Sequence, residues 1–126
     1  MLLAGSAAVL GGCVAAAVGV GAAGTVAYVR GDLEAVEPRN LADVYEATEK
    51  ALDELELRVT KKSKDALQGT IIARDSGDKK IKIALRATEQ GLTKLSIRVG
   101  WFGSESKSRL IYQKIHDNLE TAGDAK

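Results

Sequence analysis

The stretch Lys80-Ile81-Lys82-Ile83-Ala84-Leu85-Arg86-Ala87, with Thr93-Lys94-Leu95-Ser96-Ile97-Arg98-Val99-Gly100-Trp101 just beyond it, decides the fold. Apolar side chains take every second position: Ile81, Ile83, Leu85 and Ala87, then Leu95, Ile97, Val99 and Trp101. The residues between them are basic or small. Successive strand side chains point to opposite faces, so this period of two marks strands buried on one side only. The short link through Glu89-Gln90-Gly91 predicts antiparallel neighbours, because a parallel crossover needs a dozen or more residues. One sheet with one apolar and one charged face follows.

Working outward, Leu67, Gly69, Ile71 and Ala73 alternate in the same way, joined to the next strand by Asp75-Ser76-Gly77-Asp78. Before them Leu57 and Val59 point one way and Arg58 and Thr60 the other, ahead of a polar turn at Ser63-Lys64-Asp65. Residues 25–36 read as extended, with a break near Gly31-Asp32, and Pro38 ends them because proline cannot donate to a ladder. Asn40 is an N-cap, with Asp43 placed to favour the positive helix end. Leu41, Val44, Tyr45, Thr48, Ala51, Leu52 and Leu55 then recur at helical spacing, opposite Glu46, Glu49, Asp53 and Glu54. A second helix, capped by Ser104 or Ser106, carries the stripe Ser108, Ile111, Tyr112, Ile115 and Leu119. Gly100 and Gly103 bracket Trp101-Phe102 and suggest a bulge or bend, with strand parity placing Trp101 inward and Phe102 outward. The expected fold is α+β: an antiparallel sheet of about five strands with two amphipathic helices packed on one face, in the order β-α-β-β-β-β-α. The domain spans residues 25–121, and 122–126 are expected to be a disordered tail.

Everything before Arg30 is uncharged. In that block Leu10-Gly11-Gly12-Cys13 resembles the lipobox of bacterial lipoproteins: an aliphatic residue three before the cysteine, two small residues, then the thiol to be acylated. A peptidase that cuts between Gly12 and Cys13 excludes bulk beside the bond, which accounts for the glycines. The expectation is a signal peptide over 1–12 and lipidation at Cys13. A secretory signal begins with basic residues, and Met1-Leu2-Leu3 has none, so a start upstream of Met1 is expected. Residues 13–24 have two readings. They are a small-residue tether, or a glycine-zipper helix that spans or oligomerises, since Ala15, Gly19, Ala23 and Ala17, Gly21, Thr25 recur at i, i+4. Val14 rather than Asp after the cysteine resembles outer-membrane sorting, facing the periplasm. Cys13 is the only cysteine, so the domain has no internal disulfide.

The segment 93–103 (TKLSIRVGWFG), followed by Ser108 and the helix at 110–115, resembles a family of small bacterial lipoproteins catalogued as domain of unknown function 3568. The upstream helix around Val44-Tyr45-Glu46-Ala47-Thr48 and the lipobox are similar to it as well. The resemblance covers nearly the whole chain. It implies an envelope lipoprotein with a fold of this kind and supplies no activity.

Catalytic chemistry is not indicated, and the expectation is a protein that is not an enzyme and uses no cofactor. His116 is the only histidine, and its neighbours Gln113, Asp117 and Asn118 place it on the solvent side. Metal sites draw on several His or Cys ligands, so none is expected. No glycine-rich loop precedes a lysine as in phosphate-binding motifs. Charge is the one lead. Residues 31–56 hold nine acidic and two basic residues, whereas 57–103 hold eleven basic and four acidic. By strand parity Arg58, Lys62, Arg74, Lys80, Lys82, Arg86, Lys94 and Arg98 all point away from the apolar face. They make it a candidate anion-binding face, for anionic lipid headgroups or an acidic protein surface. Nucleic acid is not an expected partner of an exported protein. Phe102 is the candidate contact for an envelope protein partner, and a small apolar ligand between helices and sheet is the remaining alternative.

Overall fold

The computed structural model describes residues 26–124, so the junction at Gly12 and Cys13, the segment 1–12 and the segment 13–24 lie outside the described residues. The chain forms β1 (Val26–Val29), β2 (Asp32–Glu37), α1 (Leu41–Glu54), β3 (Arg58–Lys64), β4 (Gln68–Arg74), β5 (Lys80–Ala87), β6 (Thr93–Val99) and α2 (Glu105–Asp124). All strands join one sheet in the order β1-β2-β6-β5-β4-β3, every pair antiparallel. Both helices contact each other and one face of that sheet. The expected α+β architecture is present.

The described sheet has six strands rather than about five. The break expected near Gly31 is a tight hairpin turn, with φ of 53° at Arg30 and 92° at Gly31. Positive φ at both central positions matches the twist of the flanking strands. Arg-Gly lacks the Asn or Asp that usually signals such a turn, so two strands read as one.

The core follows the two periodicities. Leu33, Ile71, Ile81, Ile83, Leu85, Leu95, Ile97 and Val99 on the sheet meet Val44, Ala51 and Leu52 of α1 and Ile115 and Leu119 of α2, all buried. Each fully buried Leu or Ile side chain contributes about 1.5–3 kcal/mol. Asn40 Oδ1 accepts from the Asp43 N–H at 2.8 Å and starts α1. Ser104, rather than Ser106, caps α2: its Oγ accepts from the Lys107 N–H at 3.4 Å. The stripe from Ser108 to Leu119 is buried as expected. Past Thr121 the helix continues to Asp124, where a disordered tail was expected. Once α2 is docked through Leu119, each further residue adds a hydrogen bond without a new nucleus, and Arg39 Nη2 donates to the Leu119 carbonyl at 2.9 Å.

Three side chains lie on the other side from the one their spacing predicts. A bulge between Val59 and Lys61 shifts the register of β3, so Lys62 pairs with Ile71 and faces the helices. There it ion-pairs with Glu49 at 2.7 Å, while Lys64 sits 5.1 Å over the Tyr45 ring. Trp101 is not inward. Gly100 adopts φ +77° and ends the alternation, leaving Trp101 83% and Phe102 85% exposed. His116 turns toward β2 rather than solvent, its side chain 15% exposed.

Candidate functional site

The uncovered face of the sheet is ordered in rows by cross-strand register. One row holds Gln68, Arg86, Lys94 and Val36, and the next holds Ser63, Thr70, Ala84, Ser96, Glu34 and Ala27. A third row holds Lys61, Ile72, Lys82, Arg98, Asp32 and Val29, and the last holds Arg58, Arg74 and Lys80. Apart from Glu34, the second row is built from small side chains. It forms the floor of a depression of about 490 Å³ rimmed by Arg86 and Lys94. At the far end of β5 and β6 a second depression, about 820 Å³, is lined by Lys79, Lys80, Lys82, Arg98, Trp101 and Phe102. Lys82 and Arg98 of the third row stand between the two depressions, and the exposed aromatic corner lies at the second.

The cations on this face divide into two sets. Arg98 is consumed internally: Nη1 donates to the Arg30 carbonyl and to Asp32 Oδ1, each at 3.0 Å, and Nη2 to the Trp101 carbonyl at 2.6 Å. It ties the β1–β2 turn to the corner beyond β6 and is not a free anion ligand. Arg74 donates to the Asp78 carbonyl at 3.0 Å, and Arg58 lies 3.4 Å from the Asp78 carboxylate. The side chains of Lys80, Lys82, Arg86 and Lys94 have no hydrogen-bond or ion-pair partner among the described residues. Arg86 sits directly opposite Lys94, Lys82 opposite Arg98, and Arg74 opposite Lys80. Like charges directly opposite are destabilising by roughly 0.2–1 kcal/mol per pair, and a bound anion would relieve that repulsion. The face is not uniformly basic, since Asp32 and Glu34 of β2 share it. The α1 acids Glu46, Asp53 and Glu54 are exposed on the opposite side of the molecule.

A second polar cluster lies beneath the helices. Glu37, 1% exposed at the end of β2, accepts a short hydrogen bond from the Tyr112 hydroxyl. His116 Nδ1 lies 3.4 Å from the same carboxylate, and His116 Nε2 lies 3.3 Å from Glu120. Burial pushes the Glu37 carboxyl above its ordinary range, against the opposing pull of the Tyr112 hydrogen bond and of His116 and Arg39. Burial and the adjacent carboxylate push the Tyr112 hydroxyl up strongly. Nearby Thr93 Oγ1 donates to the Arg39 carbonyl at 2.7 Å. Enclosed as it is, the cluster ties α2 to β2 rather than facing a substrate. Among the described residues no three His, Cys, Asp or Glu side chains converge as metal ligands, and no helix is long and apolar enough to cross a membrane.

Of the predicted site residues, Arg58, Arg74, Lys80, Lys82, Arg86, Lys94 and Arg98 share the open face, and Phe102 is exposed at its end. Lys62 is absent from it. Sequence reasoning missed Lys61, which the bulge turns outward, and the exposure of Trp101. The sign for the latter was Gly100, where an alternation count should stop. It also missed Glu37, a charged residue whose parity matches the buried Leu33 and Ala35.

The chain belongs to the family described as Protein of unknown function (DUF3568), whose model matches residues 1–118. No curated protein matches the chain.

Proposed function

We propose that this is a non-catalytic protein of the bacterial cell envelope, anchored by lipid on Cys13, whose open sheet face rests on an anionic membrane surface. The observation that carries the reading is the set Lys80, Lys82, Arg86 and Lys94, side chains without internal partners on an uncovered face, with the α1 acids directed away. Each basic residue near an anionic leaflet contributes on the order of 1 kcal/mol, so four give a weak contact alone. Tethering changes that sum. Twelve residues (14–25) separate Cys13 from Val26, and a chain of that length reaches at most about 40 Å. A domain held so close faces the surface at an effective concentration near the millimolar range, where weak contacts saturate. A single acyl chain binds reversibly and a second stabilises attachment; the basic face adds to either.

The test uses the whole chain carrying Cys13→Ser, which removes the acylation site; whatever the uncharged N-terminal block adds is common to both vesicle types, so the face is read from the difference between them. Flotation with vesicles containing phosphatidylglycerol should exceed flotation with purely zwitterionic vesicles at low salt. Substituting Lys80, Lys82, Arg86 and Lys94 by Ser should erase that difference. Equal flotation with both vesicle types, or a preference that survives the four substitutions, refutes the reading of the face.

A further inference from the structure

The corner at residues 100–103 is built unlike an ordinary surface turn. Trp101 and Phe102 are adjacent, both more than four-fifths exposed, and neither packs on the core. Their backbone is nevertheless fixed. Arg98 donates to the Trp101 carbonyl at 2.6 Å while also holding Arg30 and Asp32. Gly103, at φ +87°, lies so close to Gly31 that a Cβ there would stand 2.4 Å from the Gly31 carbonyl oxygen. The Gly100 N–H donates to the Lys80 carbonyl at 2.7 Å. Two large apolar side chains are thus presented to solvent from a fixed backbone, so little backbone ordering entropy remains to be lost when they bind. Lys79, Lys80 and Lys82 line the same depression as the two rings.

The geometry points to the Trp101–Phe102 corner as a wedge that inserts between the headgroups of an anionic bilayer. This inference rests on the membrane reading of the open face and deepens it by naming the residues that enter the lipid. The chemistry is complementary at both depths. Aromatic rings, Trp above all, settle at the headgroup level of bilayers. Lysines beside them keep their ammonium groups among the phosphates while the stems lie along apolar surface. A protein occupant would also cover exposed aromatics, but the three flanking lysines, all of one sign around an apolar centre, favour an anionic headgroup layer.

Trp101 is the only tryptophan of the chain, so emission excited at the red edge of the absorption band, where the three tyrosines do not absorb, reports on this corner alone. The Cys13→Ser chain is mixed with phosphatidylglycerol vesicles and with zwitterionic vesicles, each with or without a quencher at a shallow acyl position. Expected with the anionic vesicles are an emission shift to shorter wavelength and quenching by the shallow quencher. Both should be several-fold weaker in zwitterionic vesicles and be lost when Lys79, Lys80 and Lys82 are replaced by Ser. Phe102→Ser, a substitution at an exposed side chain that leaves the core intact, should weaken vesicle partition on the order of 10-fold, the effect of withdrawing one aromatic surface from the interface. Flotation with anionic vesicles while Trp101 emission and quenching stay unchanged overturns the wedge and leaves the reading of the basic face standing. Such a result would assign the corner to a protein partner. Equal shifts in both vesicle types overturn the coupling of rings to lysines. No anionic preference in flotation removes the wedge together with the reading beneath it.

Discussion

Gly103 shows how much a single position holds together. Its positive φ disfavours any side chain by roughly 1–2 kcal/mol, and the close approach of Gly31 adds overlap with backbone that cannot swing aside. Gly103→Ala should therefore destabilise the domain by about 3 kcal/mol, strain and overlap together. For a domain of about 100 residues each kcal/mol moves Tm by roughly 4–8 °C, so a melt followed by circular dichroism measures it. A melting temperature equal to wild type would mean that the turn and corner do not touch in solution. Glu56 offers the opposite case. It follows α1 at φ 59°, where the Leu57 N–H reaches back to the Leu52 carbonyl at 2.9 Å in the closing turn that glycine favours. Glu56→Gly should raise stability by about 1 kcal/mol, since the side chain is exposed and the backbone is relieved. The two residues also mark what a sequence shows at this scale. Gly103 was legible as a bend, whereas nothing about Glu56 announces a left-handed residue. Cys13 is legible in the Leu10-Gly11-Gly12-Cys13 string and the described residues do not reach it.

At the scale of elements, α2 is held to the sheet by Glu37 as well as by its apolar stripe, and the buried carboxylate makes that docking depend on pH. The Glu37 value in the fold lies above its ordinary one, chiefly through burial. Its contribution to stability is therefore full below the ordinary carboxyl value and is lost as pH rises through the raised one. Glu37→Gln keeps an acceptor for Tyr112 and removes the titration. Urea melts should show the stability of wild type relative to this variant falling from acid toward neutral pH, and parallel profiles would count against the assignment. Tyr112→Phe removes the strongest opposing hydrogen bond, so the fall should extend to higher pH. Asp65 and Asp75 act in the other direction. Backbone N–H groups of Leu67 and Gln68 hold the Asp65 carboxyl below its ordinary range, and those of Lys79 and Gly77, with Lys107, hold that of Asp75. Their contribution is present above the ordinary value and lost as pH drops through the lowered ones. Element existence was legible because two periods, 2 and 3.6, dominate the sequence of β4, β5, β6, α1 and α2. The register of β3 was not. A bulge adds one residue on one side of a pair, and the polar run 60–64 that follows Val59 in β3 has no apolar residue whose misplacement would betray it.

For the whole molecule, the decisive quantity is where charge sits rather than how much there is. The formal net charge is only +1, yet the basic rows and the α1 acids face opposite ways, giving the domain an electrical direction. A surface responds to the side turned toward it, because exposed charges more than about 10 Å away are largely screened at 0.1 M salt. This separates two explanations of any vesicle binding, and a pair of variants distinguishes them. Replacing Lys82 and Arg86 by Ser removes two charges from the open face; replacing Glu46 and Asp53 by Ser in the same chain returns the net charge to its original value. All four side chains are exposed, so both variants should keep the fold. If the face governs, the compensated variant should float with phosphatidylglycerol vesicles as weakly as the Lys82/Arg86 variant. If net charge governs, it should recover the wild-type level. The expected result is no recovery, together with steep loss of wild-type binding as salt is raised. Recovery would return the open face to the status of an ordinary solvated sheet whose lysines only discourage aggregation.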